Sequence, residues 1–243
     1  EVVNNVIYNW RTRLSRNDGD SQSNYINNYY KPGIITDQTI DPASGKPIEH
    51  SQYVNLIRST DNPKLYLEGN YWDGHPQVTA DNWLGWTHTD GSNYALADQS
   101  NLQNQHDLGT RLVVPNPIVN IETAQNAYTN VLSNVGTSKT LDANGNIVLY
   151  RDSVDDRIVD DVTNRTYVNM SPNGYFEWYY PEEVSDFGNP PNNTRGISYD
   201  TDNDGMPDTW ETATFGDLTK DGTGDTDGDG YTDLEEFLNQ VDK

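Results

Sequence analysis

One pattern restricts the fold of this chain more than any other. A twelve-position spacing of acidic residues and glycine occurs twice near the end, once from Asp200 and again from Asp225. From Asp200 the chain reads Asp-Thr-Asp-Asn-Asp-Gly-Met-Pro-Asp-Thr-Trp-Glu, ending at Glu211. From Asp225 it reads Asp-Thr-Asp-Gly-Asp-Gly-Tyr-Thr-Asp-Leu-Glu-Glu, ending at Glu236. Both copies place acidic residues at positions 1, 3, 5, 9 and 12 and glycine at position 6. Five carboxylates share one short loop only if a cation gathers them. Ca²⁺ takes about six to eight oxygens, which alternate side chains of a curled loop can supply, with a backbone carbonyl from position 7. The expected ligands are Asp200, Asp202, Asp204, the Met206 carbonyl, Asp208 and Glu211 in the first loop. In the second they are Asp225, Asp227, Asp229, the Tyr231 carbonyl, Asp233 and Glu236.

Each loop runs into a short amphipathic helix. Met206, Trp210 and Ala213 make one apolar stripe, and Leu234, Phe237, Leu238 and Val241 a second. Pro207 is tolerated in a first turn, where its missing N–H costs nothing. Thr232 with Glu235 has the spacing of a capping box. No helix is predicted ahead of either loop. The unit is therefore a loop and helix repeated, and it resembles the calcium repeats of thrombospondin type 3 and dockerin modules.

Charge narrows the partners. Fifteen basic against 38 acidic residues leave a net charge of −23, and residues 200–243 alone hold 14 acidic and 2 basic groups. That balance argues against nucleic acid or an anionic membrane surface as partner. No apolar run approaches the roughly 18 residues of a membrane span. With no cysteine, disulfides, thiolate metal sites and cysteine nucleophiles are excluded. Sixteen Tyr, 6 Trp and 4 Phe supply the large side chains that a packed core needs.

The chain before His75 carries an irregular repeat. Val3-Asn-Asn-Val-Ile7 is echoed by Ile26-Asn-Asn-Tyr-Tyr30 and by Leu67-Glu-Gly-Asn-Tyr-Trp72, so that Asn5, Asn28 and Asn70 occupy equivalent places. Short strands recurring in this way, with loops of variable length between them, suit a right-handed parallel β-helix, its asparagines stacked at one corner and bonded from rung to rung. The expected class is mainly β: end rungs of a parallel β-helix, flanking short helices, and a C-terminal EF-hand-like calcium loop–helix module. The expected divisions are rungs and loops over 1–118, a helical extension and linker over 119–199, and the paired calcium module over 200–243. The chain opens directly as a strand over Glu1–Trp10, so further sequence is expected upstream.

Elsewhere the chain is quieter. Gly109–Val114 reads as a strand, Thr123–Val135 and Ser153–Val162 as helices, Leu141–Asn146 as a turn, and 171–199 as a linker. Asp155, Asp156, Asp160 and Asp161 are expected on a solvated helix face. His50, His75, His88 and His106 are scattered without a metal-binding spacing, and Asp73, His75 and Asp81 are the residues that could line a groove.

Glu1–Trp10, Asn27–Gly33, Glu68–Gly74 with Val78–Trp83, Thr123–Gly136, Arg151–Val159 and the acidic end through Asn239 resemble, in order, the C-terminal part of bacterial pectate lyase-like proteins of polysaccharide lyase family one. The resemblance implies a secreted or cell-surface bacterial protein acting on polygalacturonate. Members cleave by β-elimination: Ca²⁺ bridges aspartates and substrate carboxylates, and an arginine removes the C5 proton. Those aspartates and that arginine precede the segment matching Glu1–Trp10, so no catalytic residue carries over. Arg11, Arg13 and Arg16 do not match the catalytic position and are at most groove cations. The resemblance thus implies the non-catalytic C-terminal part of a lyase, with an N-terminal half as companion. The second reading is a calcium-stabilised surface or carbohydrate-binding protein that has lost the chemistry.

Overall fold

The computed structural model describes residues 1–10, 14–17, 19–37, 55–58, 61–89, 99–136, 139–142, 146–149, 151–166 and 195–239. They divide into two compact units, Glu1–Ser133 with Arg157–Tyr179, and Asn134–Asp156 with Tyr180–Lys243.

Among the described residues the first unit shows nine strands of two to five residues: β1 (Val2–Val3), β2 (Val6–Tyr8), β3 (Arg16–Asn17), β4 (Gln22–Ile26), β5 (Tyr29–Lys31), β6 (Asn55–Arg58), β7 (Lys64–Glu68), β8 (Tyr71–Trp72) and β9 (Trp86–Thr89). Every third strand pairs, giving parallel sheets β1–β4–β7, β2–β5–β8 and β3–β6–β9. Register follows the sequence repeat: Val3 lies beside Ile26 and Ile26 beside Glu68, while Ile7, Tyr30 and Trp72 align in the next sheet.

The corner between those two sheets is set by backbone conformation. Asn4, Asn27 and Gly69 all take left-handed φ of 54°, 50° and 61°, a region that asparagine and glycine enter most readily. The next residues form the expected ladder. Asn28 Oδ1 accepts from the backbone N–H and the side-chain amide of Asn5, both at 3.0 Å. Asn70 Oδ1 accepts the same pair from Asn28 at 3.0 and 2.8 Å, and Asn82 Oδ1 the same pair from Asn70 at 3.0 and 3.1 Å. Asn82, outside the repeat, is a rung that the sequence did not announce.

Two apolar clusters fill the unit. Tyr25, Ile57, Leu65, Trp83, Trp86 and Leu102 make one, and Trp10, Tyr30, Trp72 and Val78 the other. Tyr30 and Trp72 stack at 4.3 Å between centroids, an arrangement that adds about 0.5–1.5 kcal/mol to area burial. Helices α1 (Ile34–Asp37), α2 (Pro76–Ala80), α3 (Gln99–His106), α4 (Ala124–Asn134) and α5 (Ser153–Asn164) accompany the strands. Leu102 of α3 and Val78 of α2 are buried in these clusters.

The expected class is corrected. The described residues mix helix and strand rather than being mainly β. The parallel sheets have three strands each and do not close into a solenoid, so the right-handed parallel β-helix is set aside. Strands of two to five residues stand beside helices of 11 and 12 residues. The physical reason is local. The repeat is carried by turn asparagines and one or two apolar residues per strand, too little to extend the ladders, while Ala124–Asn134 and Ser153–Asn164 have helical periodicity.

Smaller differences have similar causes. Gly109–Val114 forms no strand; Leu112 instead exchanges hydrogen bonds with the Asn24 side chain at 2.8 and 2.9 Å. Asp161, expected on a wet face, is buried and accepts from Arg157 at 3.3 Å and from Thr166 Oγ1 at 2.6 Å. In the second unit β10 (Lys139–Leu141) and β11 (Ile147–Leu149) pair antiparallel around the predicted turn, and α6 (Asp208–Thr214) and α7 (Asp233–Asn239) follow the two acidic loops. Among the described residues no helix runs directly into either loop: 195–199 and 215–224 are turns and coil.

Candidate metal centre

The two acidic loops share one scaffold of hydrogen bonds, repeated position by position. At position 1, Asp200 accepts from the amides of Asn203 and Gly205 at 2.6 and 3.0 Å, and Asp225 from Gly228 and Gly230 at 2.7 and 3.1 Å. At position 5, Asp204 accepts from the Met206 amide at 2.8 Å, and Asp229 from that of Tyr231 at 2.9 Å. Positions 4 and 6 are left-handed in both: Asn203 and Gly205 at 63° and 100°, Gly228 and Gly230 at 78° and 102°. Only glycine enters that wide-φ region cheaply, which accounts for Gly205 and Gly230.

Position 2 also works as a pair, which was missed from sequence. Thr201 donates its amide and hydroxyl to Asp208 at 2.7 and 2.8 Å, and Thr226 donates the same groups to Asp233 at 2.9 Å each. The available signal was threonine at position 2 of both copies. These bonds hold the position-9 carboxylates against the start of their loops. The predicted capping box forms, with the Thr232 amide donating to Glu235 at 2.8 Å and the Glu235 amide to Thr232 Oγ1 at 3.2 Å.

The loops differ in depth. In the first, ligand oxygens of Asp202, Asp204 and Glu211 lie within 4.8 Å of one another, as do those of Asp200, Asp202 and Asp208. Glu211 is 0% exposed, and neither of its carboxylate oxygens has a hydrogen-bond partner; Asp204 Oδ2 is likewise buried and unpartnered. Burial, then the charges of Asp204 and Asp202, push the Glu211 carboxyl up from 4.5 to about 7. In the second loop Asp225, Asp227 and Asp229 come within 4.8 Å, and all three are exposed. Asp233 and Glu236 lie outside that group.

Three buried carboxylate oxygens with no donor are costly unless a cation meets them. Like charges gathered within a few ångströms add to that cost, most of all around buried Glu211. Oxygen-only donors around a curled loop fit a hard divalent ion of calcium type, and the first loop meets that condition more fully than the second.

The helices beyond the loops pack through fewer residues than the predicted stripes. Met206 and Phe237 are buried, and the Trp210 ring lies 5.3 Å from both Phe215 and Phe237. Ala213 and Leu238 face solvent, and Val241 lies outside the described residues.

Other candidates separate. Arg16 is exposed on β3, while Arg11, Arg13 and His50 lie outside the described residues. Asp81 caps the 3₁₀ turn Asn82–Gly85 through the Trp83 amide, and the backbone carbonyl of His75 accepts from the Val78 and Thr79 amides at the start of α2. His88 and His106, distant in sequence, meet with Nε2 atoms at 2.8 Å.

No protein-family model matches this chain. It is 28% identical over 247 residues to a protein named "Probable pectate lyase C" of Aspergillus oryzae, and equally so to its namesake of Aspergillus flavus; each match covers 99% of this chain and 48% of the relative. That of Emericella nidulans is 27% identical over 244 residues. The chain is a distant homologue of these pectate lyase-like proteins. It spans about half their length. These relatives are fungal, where the resemblance had pointed to bacteria. Among the described residues no helix is long and apolar enough to cross a membrane.

Proposed function

We propose that this chain is the C-terminal part of a secreted, calcium-dependent pectate lyase-like protein that cleaves polygalacturonate by β-elimination. The observation that carries the reading is similarity over 99% of the chain to proteins bearing that name, at about half their length. In this reading the chain's contribution is structural. Its asparagine-laddered sheets extend a scaffold whose reacting residues lie on a companion N-terminal half. Residues 200–243 form a paired calcium module held by Asp200, Asp202, Asp204, the Met206 carbonyl, Asp208 and Glu211, and by Asp225, Asp227, Asp229, the Tyr231 carbonyl, Asp233 and Glu236. Bound calcium there supplies positive charge to a cluster of acceptors. Asp200 and Asp225 organise their loops through amide hydrogen bonds, and Glu211 closes the first from α6. The unpartnered Glu211 and Asp204 oxygens support that assignment.

The experiment is an absorbance assay for unsaturated uronide on polygalacturonate, run with the full-length protein and with residues 1–243 alone. Product from the full-length protein and none from 1–243 is the expected result, since a general base must lie within reach of its proton. The net charge of −23 favours a second reading, a calcium-stabilised carbohydrate-binding or cell-surface protein without chemistry, because a polyanion meets polygalacturonate unfavourably at long range. A silent full-length protein that still sediments with calcium pectate would select it.

A further inference from the structure

The two acidic loops repeat one another in sequence, yet their surroundings are unequal, and that inequality sets an order. We propose that the first loop is the organising site of the module: an ion held among Asp202, Asp204 and Glu211 builds the surface on which the second loop and α7 form, so the second site fills later and depends on the first. This rests on the calcium reading above and adds to it the hierarchy between the sites.

Depth is the first observation. Glu211 is fully buried with both oxygens unpartnered, and it shares a 4.8 Å group with Asp202 and Asp204, whose Oδ2 is also buried and unpartnered. The folded arrangement of α6 therefore leaves three buried acceptors that no protein donor reaches and that a cation would satisfy together. In the second loop the grouped carboxylates are exposed and remain hydrated without one.

Connection is the second observation. Leu234, at position 10 of the second loop, lies against position 6 of the first: a Cβ added at Gly205 would meet Leu234 Cδ1 at 3.2 Å. At Gly222 an added Cβ would meet the Asp204 carbonyl oxygen at 2.9 Å and Leu234 Cβ at 3.0 Å, so that segment is clamped between the first loop and α7. The Leu234 amide reaches the Gly222 carbonyl at 3.4 Å, and the Asp233 amide reaches that of Gly224 at 2.6 Å. Trp210, the neighbour of Glu211 on α6, packs on Phe237 of α7 with centroids 5.3 Å apart. The Leu234–Gly205, Gly222–Asp204 and Trp210–Phe237 contacts join α7 and the segment before the second loop to the first loop and α6. The reverse dependence is weaker, since the Asp225–Asp227–Asp229 group is solvent-facing.

The position-6 amides supply the readout, because each donates to a position-1 aspartate and so reports its own loop: Gly205 to Asp200 at 3.0 Å and Gly230 to Asp225 at 3.1 Å. The full chain, labelled with ¹⁵N, is titrated with Ca²⁺ while both resonances are followed. The Gly205 signal should saturate first, at a calcium concentration at least tenfold lower. Asp227→Asn should abolish the Gly230 response and leave that of Gly205 within about twofold. Glu211→Gln should abolish the Gly205 response and raise the calcium needed at Gly230 by tenfold or more. Leu234→Ala cuts the connection without touching a ligand and covers the case in which Glu211→Gln does not fold. It should raise the calcium midpoint at Gly230 severalfold and leave the midpoint at Gly205 within about twofold. Gly230 saturating first, or titrating unchanged in both Glu211→Gln and Leu234→Ala, overturns the hierarchy while leaving calcium binding intact. No calcium response at either glycine overturns the calcium reading itself.

Discussion

The asparagine ladder of the first unit and the aspartate loops of the second are built from side chains of nearly identical shape, and they solve opposite problems. An asparagine amide both donates and accepts, so Asn5, Asn28, Asn70 and Asn82 satisfy one another in series with nothing added. An ionised aspartate only accepts. Loop amides go to Asp200, Asp225 and one oxygen each of Asp204 and Asp229, and Asp204 Oδ2 and both Glu211 oxygens are left buried with no protein donor. A repeat of amides closes on itself; a repeat of carboxylates has to recruit a cation from outside. One atom per residue separates a self-sufficient scaffold from a ligand-dependent one.

Removing the cation should break the comparison most visibly. In chelator, residues 200–239 are expected to lose protease resistance and amide protection, while the side-chain amide protons of Asn28 exchange as slowly as before. Where free calcium stands a hundredfold above Kd, each bound site contributes about 2.7 kcal/mol, and that is the stabilisation that chelation withdraws. A tail equally resistant in chelator, followed by limited proteolysis and mass spectrometry, would refute the dependence.

Exchanging the chemistry sharpens the contrast at a second level. Asn28→Asp keeps shape and acceptor but deletes the donor that reaches Val2 O at 2.8 Å and Asn70 Oδ1 at 2.8 Å, in a residue with no solvent exposure. The cost should be on the order of 3 kcal/mol, from stranded buried acceptors and an unpaired charge. The same change at exposed Asn5 should cost under about 1 kcal/mol. Equal losses at the two positions, measured by urea denaturation, would mean that the ladder is not what holds the corner.

The difference in legibility has the same origin. Loop spacing is local, twelve contiguous positions with glycine where φ must be positive, so positions 1, 3, 5, 6 and 12 stand out in the sequence. The ladder was half visible, since Asn5, Asn28 and Asn70 recur in context whereas Asn82 joins through a 3₁₀ turn with no echo of the repeat. Fold class misled because a periodic corner says where strands turn and not how long they run. The depth of Glu211 was invisible: Glu211 and Glu236 occupy one position of one motif, and only the packing of Trp210, Phe237 and Leu234 distinguishes them. His88 and His106 looked scattered because strand β9 and helix α3 join them across the fold.

Proton concentration tests the carboxylate side more gently. With Glu211 raised from 4.5 to about 7 by burial and neighbouring aspartates, the calcium-free folded module prefers the protonated acid. Its stability in chelator is fully present below about pH 4.5 and declines as pH rises through about 7. With saturating calcium the slope reverses over the same window, because protons then compete with the ion for the same oxygens. Melting curves at pH 5 and pH 8, with and without calcium, should therefore cross; parallel curves would place Glu211 outside the ion site.

The smallest expected effect concerns the histidine pair, which behaves as an amide rung until it takes up a proton. The Pro63 carbonyl, 2.8 Å from His106 Nδ1, can only accept, so that nitrogen carries the proton and His106 Nε2 is left to accept from His88 Nε2 at 2.8 Å. Burial, then the neighbouring His106, lowers the pKa of His88 below its ordinary 6.5. The unfolded chain therefore binds a proton more readily than the folded one. Stability from the neutral pair is present above pH 6.5 and is lost as pH falls below it. A second proton turns both facing nitrogens into donors, the mirror image of the aspartate loops, and here the missing partner would be an anion. His88 is only partly buried, so solvent screens much of the effect. Acidification from pH 7.5 to 5.5 in saturating calcium should slightly lower the melting temperature of the first unit, and His88→Gln should flatten that slope. An unchanged slope in His88→Gln would assign the acid sensitivity to other groups and leave the pair a purely structural contact.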